Sequence, residues 1–139
     1  MTQPIKLLLV EDDDLDAMDF RRAMKRVDRN VEIQRASDGA EALALLKTQQ
    51  QTTPYLIILD LNLPRMSGFE FLDMIEQDTR AGPAAVFILS SSDAERDIQR
   101  AYRHRIAGYL VKSDQDDALL EVTKMLQGYW KHNRLPIPA

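Results

Sequence analysis

The sequence predicts an α/β fold in which five parallel strands alternate with five helices around one sheet. Short apolar runs recur along the chain, and each is followed by a stretch whose apolar residues have helical spacing. Most of the apolar runs are continuous, which is typical of parallel strands buried on both faces. The chain has 139 residues, enough for one domain with a sizeable core. Because crossovers between parallel strands are right-handed, helices are expected on both sides of the sheet.

The first half of the chain predicts three strands and two helices. Residues 5–10 and 55–60 are apolar runs, and residues 31–35 alternate between apolar and polar side chains, as strands do. Over about residues 14–27, apolar side chains form one face of a helix and basic side chains take the other. The Ser-Asp-Gly turn at 37–39 can cap a second helix over residues 40–47.

The second half of the chain repeats the alternation. A third helix over about residues 69–77 follows a loop that contains Pro64 and Gly68. The apolar run 84–89 predicts the fourth strand, and Ser92 or Asp93 can cap a fourth helix that reaches about residue 105. Residues 108–111 predict the fifth strand, and the last helix is expected over about residues 115–131.

The composition excludes several classes of protein. The chain has no cysteine, so disulfides, thiolate metal sites and cysteine nucleophiles are excluded. A net charge of −4 argues against a nucleic-acid binder, which needs a basic face. No apolar run is long enough to span a bilayer, and the N-terminus lacks the apolar stretch of a signal peptide. We therefore expect a cytoplasmic protein with neither a nucleic-acid nor a membrane partner.

Reactive side chains follow four of the five predicted strands, whereas the second strand ends in nothing obviously reactive. Ligand sites in such sheets lie at the carboxyl ends of the strands. If the four strands are neighbours, their terminal side chains meet in one pocket. These side chains are Glu11, Asp12 and Asp13 after the first strand, Asp60 after the third, Ser90 after the fourth and Lys112 after the fifth.

The residue types at these strand ends fit phosphoryl transfer. Clustered carboxylates need a neutralising cation, and an all-oxygen ligand set suits Mg²⁺, or Mn²⁺ in its place. Asp60 is placed to attack phosphorus in line, since carboxylates form aspartyl phosphates. Lys112 can neutralise the transferring phosphoryl group, and Ser90 can donate a hydrogen bond to it.

Each of these residues alone also has an ordinary structural interpretation. The acidic run at 11–13 is typical of a solvated loop or a helix N-cap. Asp60 fits a turn or a cap, residues 90–92 fit a helix cap, and Lys112 fits a surface lysine. Four such coincidences at four strand ends would have to be independent, so the combination favours a functional pocket.

Taken together, these motifs resemble the receiver domain of two-component response regulators, of the chemotaxis-regulator type. The resemblance spans about residues 5–131 and implies a flavodoxin-like doubly wound sheet in the order 2-1-3-4-5. We expect one receiver domain over residues 1–131, a tail over residues 132–139 and no output domain. The matching segments are LLLVEDD at 7–13, LIILDLNLP at 56–64 with Ser-Gly at 67–68, FILSSSD at 87–93 and GYLVKS at 108–113.

The resemblance implies a role for each residue at the strand ends. Asp12 would bind Mg²⁺ directly and Glu11 through water, while Asp60 would be both metal ligand and phosphoacceptor. The backbone carbonyl of Asn62 would complete the metal site. The remaining matches concern the phosphoryl group: Ser90 would bind it, Ser91 is the small residue beside Ser90, Lys112 is the family's lysine, and Tyr109 is the switch aromatic that turns inward. For Tyr109, an ordinary strand residue remains an open alternative.

The implied function is a phosphorylated switch and not a turnover enzyme. A sensor histidine kinase would phosphorylate Asp60, and the face formed by the fourth helix, fifth strand and fifth helix would change as a candidate dimer or target surface. Tyr102, Tyr109, Tyr129 and Trp130 are expected on or near this face. Ordinary core packing is the alternative for all four, and it fits Trp130 at least as well.

Two other functions stay open. One is a receiver-like adaptor that is never phosphorylated. The other is an Mg²⁺-dependent phosphohydrolase with Asp60 as nucleophile, which Asn62 disfavours because such enzymes usually carry a second Asp at that position.

One departure from the family pattern favours the adaptor: Ser113 stands where Pro usually follows the lysine, often through a cis bond. A cis bond before a residue other than Pro costs about 3–4 kcal/mol, so the loop either keeps a strained cis bond or relaxes to trans.

A narrower resemblance concerns the small stand-alone receivers that pair with phytochrome-type histidine kinases. Its segments are LLVEDDDLDA, SDGAEAL, LDLNLPRMSG and GYWKHNRLP. The resemblance implies a light-sensing pathway. The two histidines, His104 and His132, lie in basic, polar sequence surroundings and are expected to be solvated.

Overall fold

The computed structural model describes residues 5–48, 56–77, 85–115 and 117–133. Strands and helices alternate throughout this part of the chain. The strands are β1 (Lys6–Val10), β2 (Glu32–Ala36), β3 (Leu56–Leu59), β4 (Ala85–Ser90) and β5 (Gly108–Val111). The helices are α1 (Asp14–Val27), α2 (Gly39–Thr48), α3 (Gly68–Gln77), α4 (Glu95–Tyr102) and α5 (Ala118–His132).

The strands form one parallel sheet in the order β2-β1-β3-β4-β5, so the predicted fold class and strand order are confirmed. Val10 pairs with Ala36 on one side and with Leu59 on the other. Ser90 pairs with Val111 at the same edge. The carboxyl ends of the strands therefore lie side by side.

Two apolar clusters hold helices on opposite faces of the sheet. Leu8, Val10, Ile57 and Leu59 face the cluster that includes residues of α2 and α3. The alternate strand residues face a second cluster, to which α1 and α5 contribute. Because successive strand residues point to opposite faces and both faces are covered, β1 and β3 are buried almost throughout. The second-cluster strand residues are Leu7, Leu9, Leu56, Ile58, Phe87 and Leu89.

The boundaries of the last two helices differ from the predicted ones. α4 covers Glu95–Tyr102, and its N-cap residue Ala94 makes no side-chain capping bond, so the predicted cap at Ser92 or Asp93 is wrong. The helix ends because the N–H groups of Arg103 and His104 donate to carbonyls three residues back. α5 begins at Ala118 and not near residue 115, because Asp117 has a left-handed backbone with φ of 65°.

Smaller shifts affect other predicted boundaries. β2 and β4 each end one residue later than predicted, so Ser90 belongs to the strand itself. Predicted strand residues Tyr55 and Ala84 lie outside the described residues, as do residues 134–139 of the predicted tail. α5 extends to His132, one residue beyond the predicted domain boundary. Among the described residues, no helix is long and apolar enough to cross a membrane.

Candidate functional site

Backbone hydrogen bonds extend the sheet beyond the strand ends and fix three of the predicted site residues. The N–H of Glu11 donates to the Ala36 carbonyl at 3.0 Å, and the N–H of Asp60 donates to the Val10 carbonyl at 3.1 Å. On the other side, the N–H of Lys112 donates to the Ser90 carbonyl at 2.8 Å. Each side chain therefore leaves the sheet at the same edge, as an extension of a paired strand.

Glycine at position 68 lets the loop after β3 close against Asp60. A Cβ atom there would lie 2.7 Å from the Asp60 carbonyl oxygen, closer than side-chain carbons approach backbone. The N–H of Gly68 donates to the Leu61 carbonyl at 3.0 Å, and the N–H of Asn62 donates to Asp60 Oδ1 at 3.1 Å. The loop therefore packs around the Asp60 carboxylate, while the metal-binding role of the Asn62 carbonyl stays a prediction.

Lys112 joins carboxylates from three separate segments. Its Nζ lies 2.6 Å from Glu11 Oε1, 3.0 Å from Asp16 Oδ2 and 3.2 Å from Asp60 Oδ2. Glu11 and Asp60 are 4% and 7% exposed, so two carboxylates are buried beside one ammonium. The structure thus brings together side chains that are up to 101 residues apart in the sequence.

The electrostatics of this pocket favour an additional cation. Burial, the largest cause, and the charge of Asp60 together raise the pKa of Glu11 to about 7, although the hydrogen bond from Lys112 lowers it. Burial would lower the pKa of Lys112, but hydrogen bonds to Glu11 and Asp16 and the charge of Asp60 hold it above its usual value. One ammonium therefore does not fully compensate the carboxylates around it.

The residues present fit a hard divalent cation. One carboxylate oxygen from each of Glu11, Asp12 and Asp60 lies within 4.8 Å of the others. The donors are all oxygen atoms, as Mg²⁺ and Mn²⁺ prefer. Asp12 is exposed, whereas Glu11 and Asp60 are buried, so the cluster opens to solvent on the Asp12 side.

Asp13 is the member of the acidic run that fits the ordinary structural interpretation. It is the N-cap of α1, and its carboxylate accepts a hydrogen bond from the Asp16 N–H at 2.9 Å. Asp13 also donates its own N–H to Glu11 Oε2 at 3.2 Å. The start of α1 therefore supports the second oxygen of Glu11 while the first contacts Lys112.

The hydroxyl groups at the end of β4, in the following loop and in β5 form hydrogen bonds with that loop and with α4. Ser90 is fully buried, and its Oγ accepts a hydrogen bond from the Ser92 N–H at 3.2 Å. Ser92 donates to Asp97 Oδ2 at 2.6 Å, and the Tyr109 hydroxyl donates to the Ser92 carbonyl at 2.7 Å. Ser91 is exposed beside them. Among the described residues, neither Ser90 nor Tyr109 forms a side-chain hydrogen bond with the carboxylates of the acidic cluster.

The loop after Lys112 relaxes to trans. The described residues contain no cis peptide bond, so the Lys112–Ser113 bond is trans. Ser113 Oγ accepts a hydrogen bond from the Gln115 N–H at 3.1 Å, which turns the chain toward α5. Lys112 still reaches the acidic cluster, so Pro is not needed after the lysine for this contact.

Two residues at the site were not identified from the sequence. Asp16, on the first turn of α1, is one of the three partners of Lys112. Arg35, in β2, donates hydrogen bonds to the acidic loop, so the second strand contributes a contact to this edge although it ends in no obviously reactive group. The only signal in the sequence was the position of Arg35 next to the carboxyl end of its strand.

The aromatic residues expected on the α4–β5–α5 face divide into two groups. Tyr102 is 55% exposed and Tyr109 is half-buried. Tyr129 and Trp130 pack against the second apolar cluster, and the Tyr129 ring meets Phe87 edge-on at 5.0 Å. Tyr129 and Trp130 therefore follow the core-packing interpretation.

His104 corrects a further expectation. Its side chain is 13% exposed, with Nδ1 3.1 Å from Glu76 Oε1 and Nε2 3.7 Å from Asp73 Oδ1. The ring also stacks on Phe69 at 6.4 Å. His104 thus connects α3 to the turn after α4 and is not solvated, whereas His132 is exposed as expected.

Comparisons with known proteins agree with this geometry. A family model described as the response regulator receiver domain matches residues 7–124. The "Probable methanogenesis regulatory protein FilR2" of Methanothrix harundinacea is 33% identical over 140 residues, 98% of this chain and 90% of the relative. Response regulator Rcp1 of Synechocystis sp. is 31% identical over 131 residues, 91% of this chain and 89% of the relative.

Solved structures give the same result. The phosphorylated cyanobacterial phytochrome response regulator RcpA is similar with a TM-score of 0.85 and 32% identity, over 96% of this chain and 99% of that chain. The Mn²⁺-bound form of response regulator Rcp1 is similar with a TM-score of 0.83 and 31% identity, over the same shares of the two chains. These matches confirm both resemblances that the sequence motifs predicted.

Proposed function

Since this chain belongs to the response regulator receiver family, we propose that it accepts a phosphoryl group on Asp60 in a reaction that depends on Mg²⁺ or Mn²⁺. The observation that carries the proposal is the buried Asp60 carboxylate between an acidic cluster and an ammonium. Asp60 is 7% exposed, Lys112 Nζ lies 3.2 Å from it, and Glu11 and Asp12 complete a cluster within 4.8 Å. The Mn²⁺-bound form of Rcp1 supports a divalent cation in a relative with 31% identity.

In the proposed reaction, a carboxylate oxygen of Asp60 forms a bond to phosphorus. With a phosphohistidine donor, the phosphorus–nitrogen bond breaks and its electron pair returns to the imidazole of the donor. Glu11, Asp12 and Asp60, with the Asn62 carbonyl, would hold the cation, which neutralises charge on the phosphoryl oxygens when bound. Lys112 would pair with a phosphoryl oxygen, and Ser90 would donate its hydroxyl proton to another in a hydrogen bond.

The proposed consequence is a switch in protein contacts and not catalytic turnover. A phosphoryl group adds about −1.5 to −2 charge and three strong acceptors beside Ser90 and Lys112. Movement of Ser90 would displace Ser92, because the Ser92 N–H donates to Ser90 Oγ. The Ser92 carbonyl in turn accepts a hydrogen bond from the Tyr109 hydroxyl. The loop after β4 would move, Tyr109 would turn, and the α4–β5–α5 face would change as a target surface or homodimer interface.

The proposed donor is a sensor histidine kinase of the phytochrome type in the cytoplasm. The similarity to RcpA, a cyanobacterial phytochrome response regulator, supports this class of partner. The input would then be light, and the output would be a contact with another protein.

The test is labelling with a small phosphodonor. Acetyl phosphate with Mg²⁺ is expected to add one phosphoryl mass to the chain, and removal of Mg²⁺ with a chelator should prevent it. Asp60→Asn should abolish the mass gain, because the amide oxygen is a poor nucleophile toward phosphorus. Asp38→Asn is the matched control, since Asp38 is equally buried, at 5% exposed, but caps α2.

The outcomes separate the competing functions. An unmodified wild-type chain would contradict the proposal and support a phosphorylation-independent adaptor. Repeated hydrolysis of small phosphoesters, lost in Asp60→Asn, would contradict the switch and support a phosphohydrolase. A mass gain that persists in Asp60→Asn would place the phosphoryl group elsewhere.

A further inference from the structure

Arg35 lies beside the acidic loop without belonging to the carboxylate cluster. It is the penultimate residue of β2 and pairs with Leu9 in the sheet. Its Nε donates to the Glu11 carbonyl at 3.0 Å, and its Nη2 donates to the Asp12 carbonyl at 3.1 Å. Its Nη1 forms an ion pair with Asp14 Oδ1 at 2.7 Å. One guanidinium therefore uses all three nitrogens on the segment from Glu11 to Asp14, the first residue of α1.

In this loop, the backbone and the carboxylate side chains have different binding partners. The carbonyls of Glu11 and Asp12 are bound by Arg35, while the carboxylates of the same residues belong to the cluster with Asp60. The N–H of Glu11 is also bound, by the Ala36 carbonyl. Both backbone polar groups of Glu11 are thus fixed by the end of β2, which determines where its side chain begins.

The Arg35 side chain is itself well held. It is 22% exposed, and a planar guanidinium fork has little freedom once three hydrogen bonds fix it. Such supporting contacts to metal ligands typically change metal affinity 10–100-fold when they are removed. A lysine at this position could keep the charge but could not reproduce the fork.

We infer that Arg35 is a positioning residue that preorganises Glu11 and Asp12 for the divalent cation. This inference rests on the proposed function only for the identity of the ligand, and it does not require phosphorylation. Arg35 acts through the two backbone carbonyls and does not touch the cation or the phosphoryl group.

Electrostatics alone would give the opposite effect. Arg35 is a positive charge near a cation site, so its removal would reduce repulsion and tighten cation binding. Positioning requires the reverse, because loss of the fork frees the loop. The sign of the change in affinity therefore distinguishes the two roles.

The experiment is a titration of the full chain with Mn²⁺, followed by the electron paramagnetic resonance signal of free Mn²⁺. Arg35→Met and Arg35→Lys should each raise the Kd about tenfold. Lys6→Met is the matched control: Lys6 pairs with Glu32 at 3.7 Å at the opposite end of the same strand pair, and its loss should change the Kd less than about twofold. Urea unfolding of each variant shows that it is folded.

Phosphodonor labelling supplies a second readout. In both Arg35 variants, the Mn²⁺ concentration for half-maximal labelling should rise, while the rate at saturating Mn²⁺ stays within about twofold of wild type. A general structural defect would lower the saturated rate as well, and that result would overturn the inference.

The failures are distinguishable. An unchanged or lower Kd in Arg35→Met overturns the role of Arg35 and leaves the proposed function intact. Absence of Mn²⁺ binding by the wild-type chain contradicts the proposed function itself. If Arg35→Met does not fold, Arg35→Lys decides, because it keeps the charge and the aliphatic stem, and an unchanged Kd in that variant overturns the inference.

Discussion

The site has an acid half and a hydroxyl half, and they are assembled differently. The acid half consists of Glu11, Asp12, Asp60 and Lys112, whose side chains come from three loops and meet directly. The hydroxyl half consists of Ser90, Ser92 and Tyr109, whose side-chain hydrogen bonds connect the end of β4, the β4–α4 loop, α4 and β5. Among the described residues, no side-chain hydrogen bond joins the two halves.

This difference indicates what the proposed phosphorylation would have to change. The acid half already presents its carboxylates close together, so a cation can enter without a rearrangement of the sheet. In the hydroxyl half, Ser90 Oγ only accepts a hydrogen bond from the Ser92 N–H, so its hydroxyl proton can still be donated to a phosphoryl oxygen. The Tyr109 hydroxyl donates to the Ser92 carbonyl, and Tyr109 would have to leave this partner in order to turn. The acid half is therefore a preformed cation site, and in the proposed switch the hydroxyl half would be the part that rearranges.

Among the changes that test this difference between the two halves, Lys112→Met should have the largest effect. Removal of the ammonium leaves Glu11 and Asp60 buried without their shared partner, so the free energy of unfolding at pH 8 should fall by about 2 kcal/mol. The loss should be smaller at about pH 5.5, because Glu11 can then be protonated. Urea unfolding at both pH values measures the change.

Lys124→Met is the control for Lys112→Met, since Lys124 is exposed on α5. It should change the free energy of unfolding by less than about 0.5 kcal/mol. Equal stability of Lys112→Met and wild type at pH 8 would mean that the acid half does not depend on the lysine.

A second prediction concerns pH. Folding raises the pKa of Glu11 from 4.5 to about 7, so the protonated form stabilises the folded protein at low pH, and this contribution is lost as the pH rises through about 7. Binding of a cation requires the ionised carboxylate of Glu11. The affinity for Mn²⁺ should therefore rise up to about tenfold per pH unit below pH 7 and level off above it.

Mn²⁺ titrations across this pH range measure the effect, with Glu11→Gln as the comparison. The amide does not titrate, so its affinity should be lower at pH 8 and should lose most of the slope. A wild-type affinity that does not change between about pH 5.5 and 8 would contradict the involvement of Glu11 in binding.

The smallest effect should come from Tyr109→Phe. This change removes the 2.7 Å hydrogen bond to the Ser92 carbonyl but keeps the ring in the apolar cluster. The free energy of unfolding should therefore fall by about 1 kcal/mol. The Kd for Mn²⁺ should stay within about twofold, because the hydroxyl half is separate from the acid half before phosphorylation. Tyr102→Phe, at an exposed position, is the control. A large change in Mn²⁺ affinity in Tyr109→Phe would show that the two halves are already coupled.

The sequence predicted the acid half well because simple rules govern where strands end. Continuous apolar runs locate β1 and β3, and the parallel topology brings residues 11 and 60 to one edge. The same rule predicted that Lys112 reaches this edge after β5. These positions follow from the backbone alone, without knowledge of side-chain conformations.

Arg35 and His104 escaped prediction for a different reason. Each acts through a long or planar side chain whose reach depends on neighbours that are distant in sequence. Arg35 donates hydrogen bonds to carbonyls that lie 23 and 24 residues earlier in the sequence, and His104 contacts a carboxylate 28 residues earlier. The neighbouring residues in the chain gave no sign that either residue makes these contacts. The start of α5 was also missed, since nothing in the local sequence requires the left-handed backbone of Asp117.

The measurement that tests the phosphoacceptor most directly is reduction of the labelled chain with borohydride, followed by peptide mapping. Borohydride converts an aspartyl phosphate to homoserine, which marks the modified residue by mass. After treatment with acetyl phosphate and Mg²⁺, homoserine is expected at position 60 and should be absent when Mg²⁺ is chelated. Homoserine at position 12 or 16, or none in a chain that has gained a phosphoryl group, would contradict the assignment of Asp60.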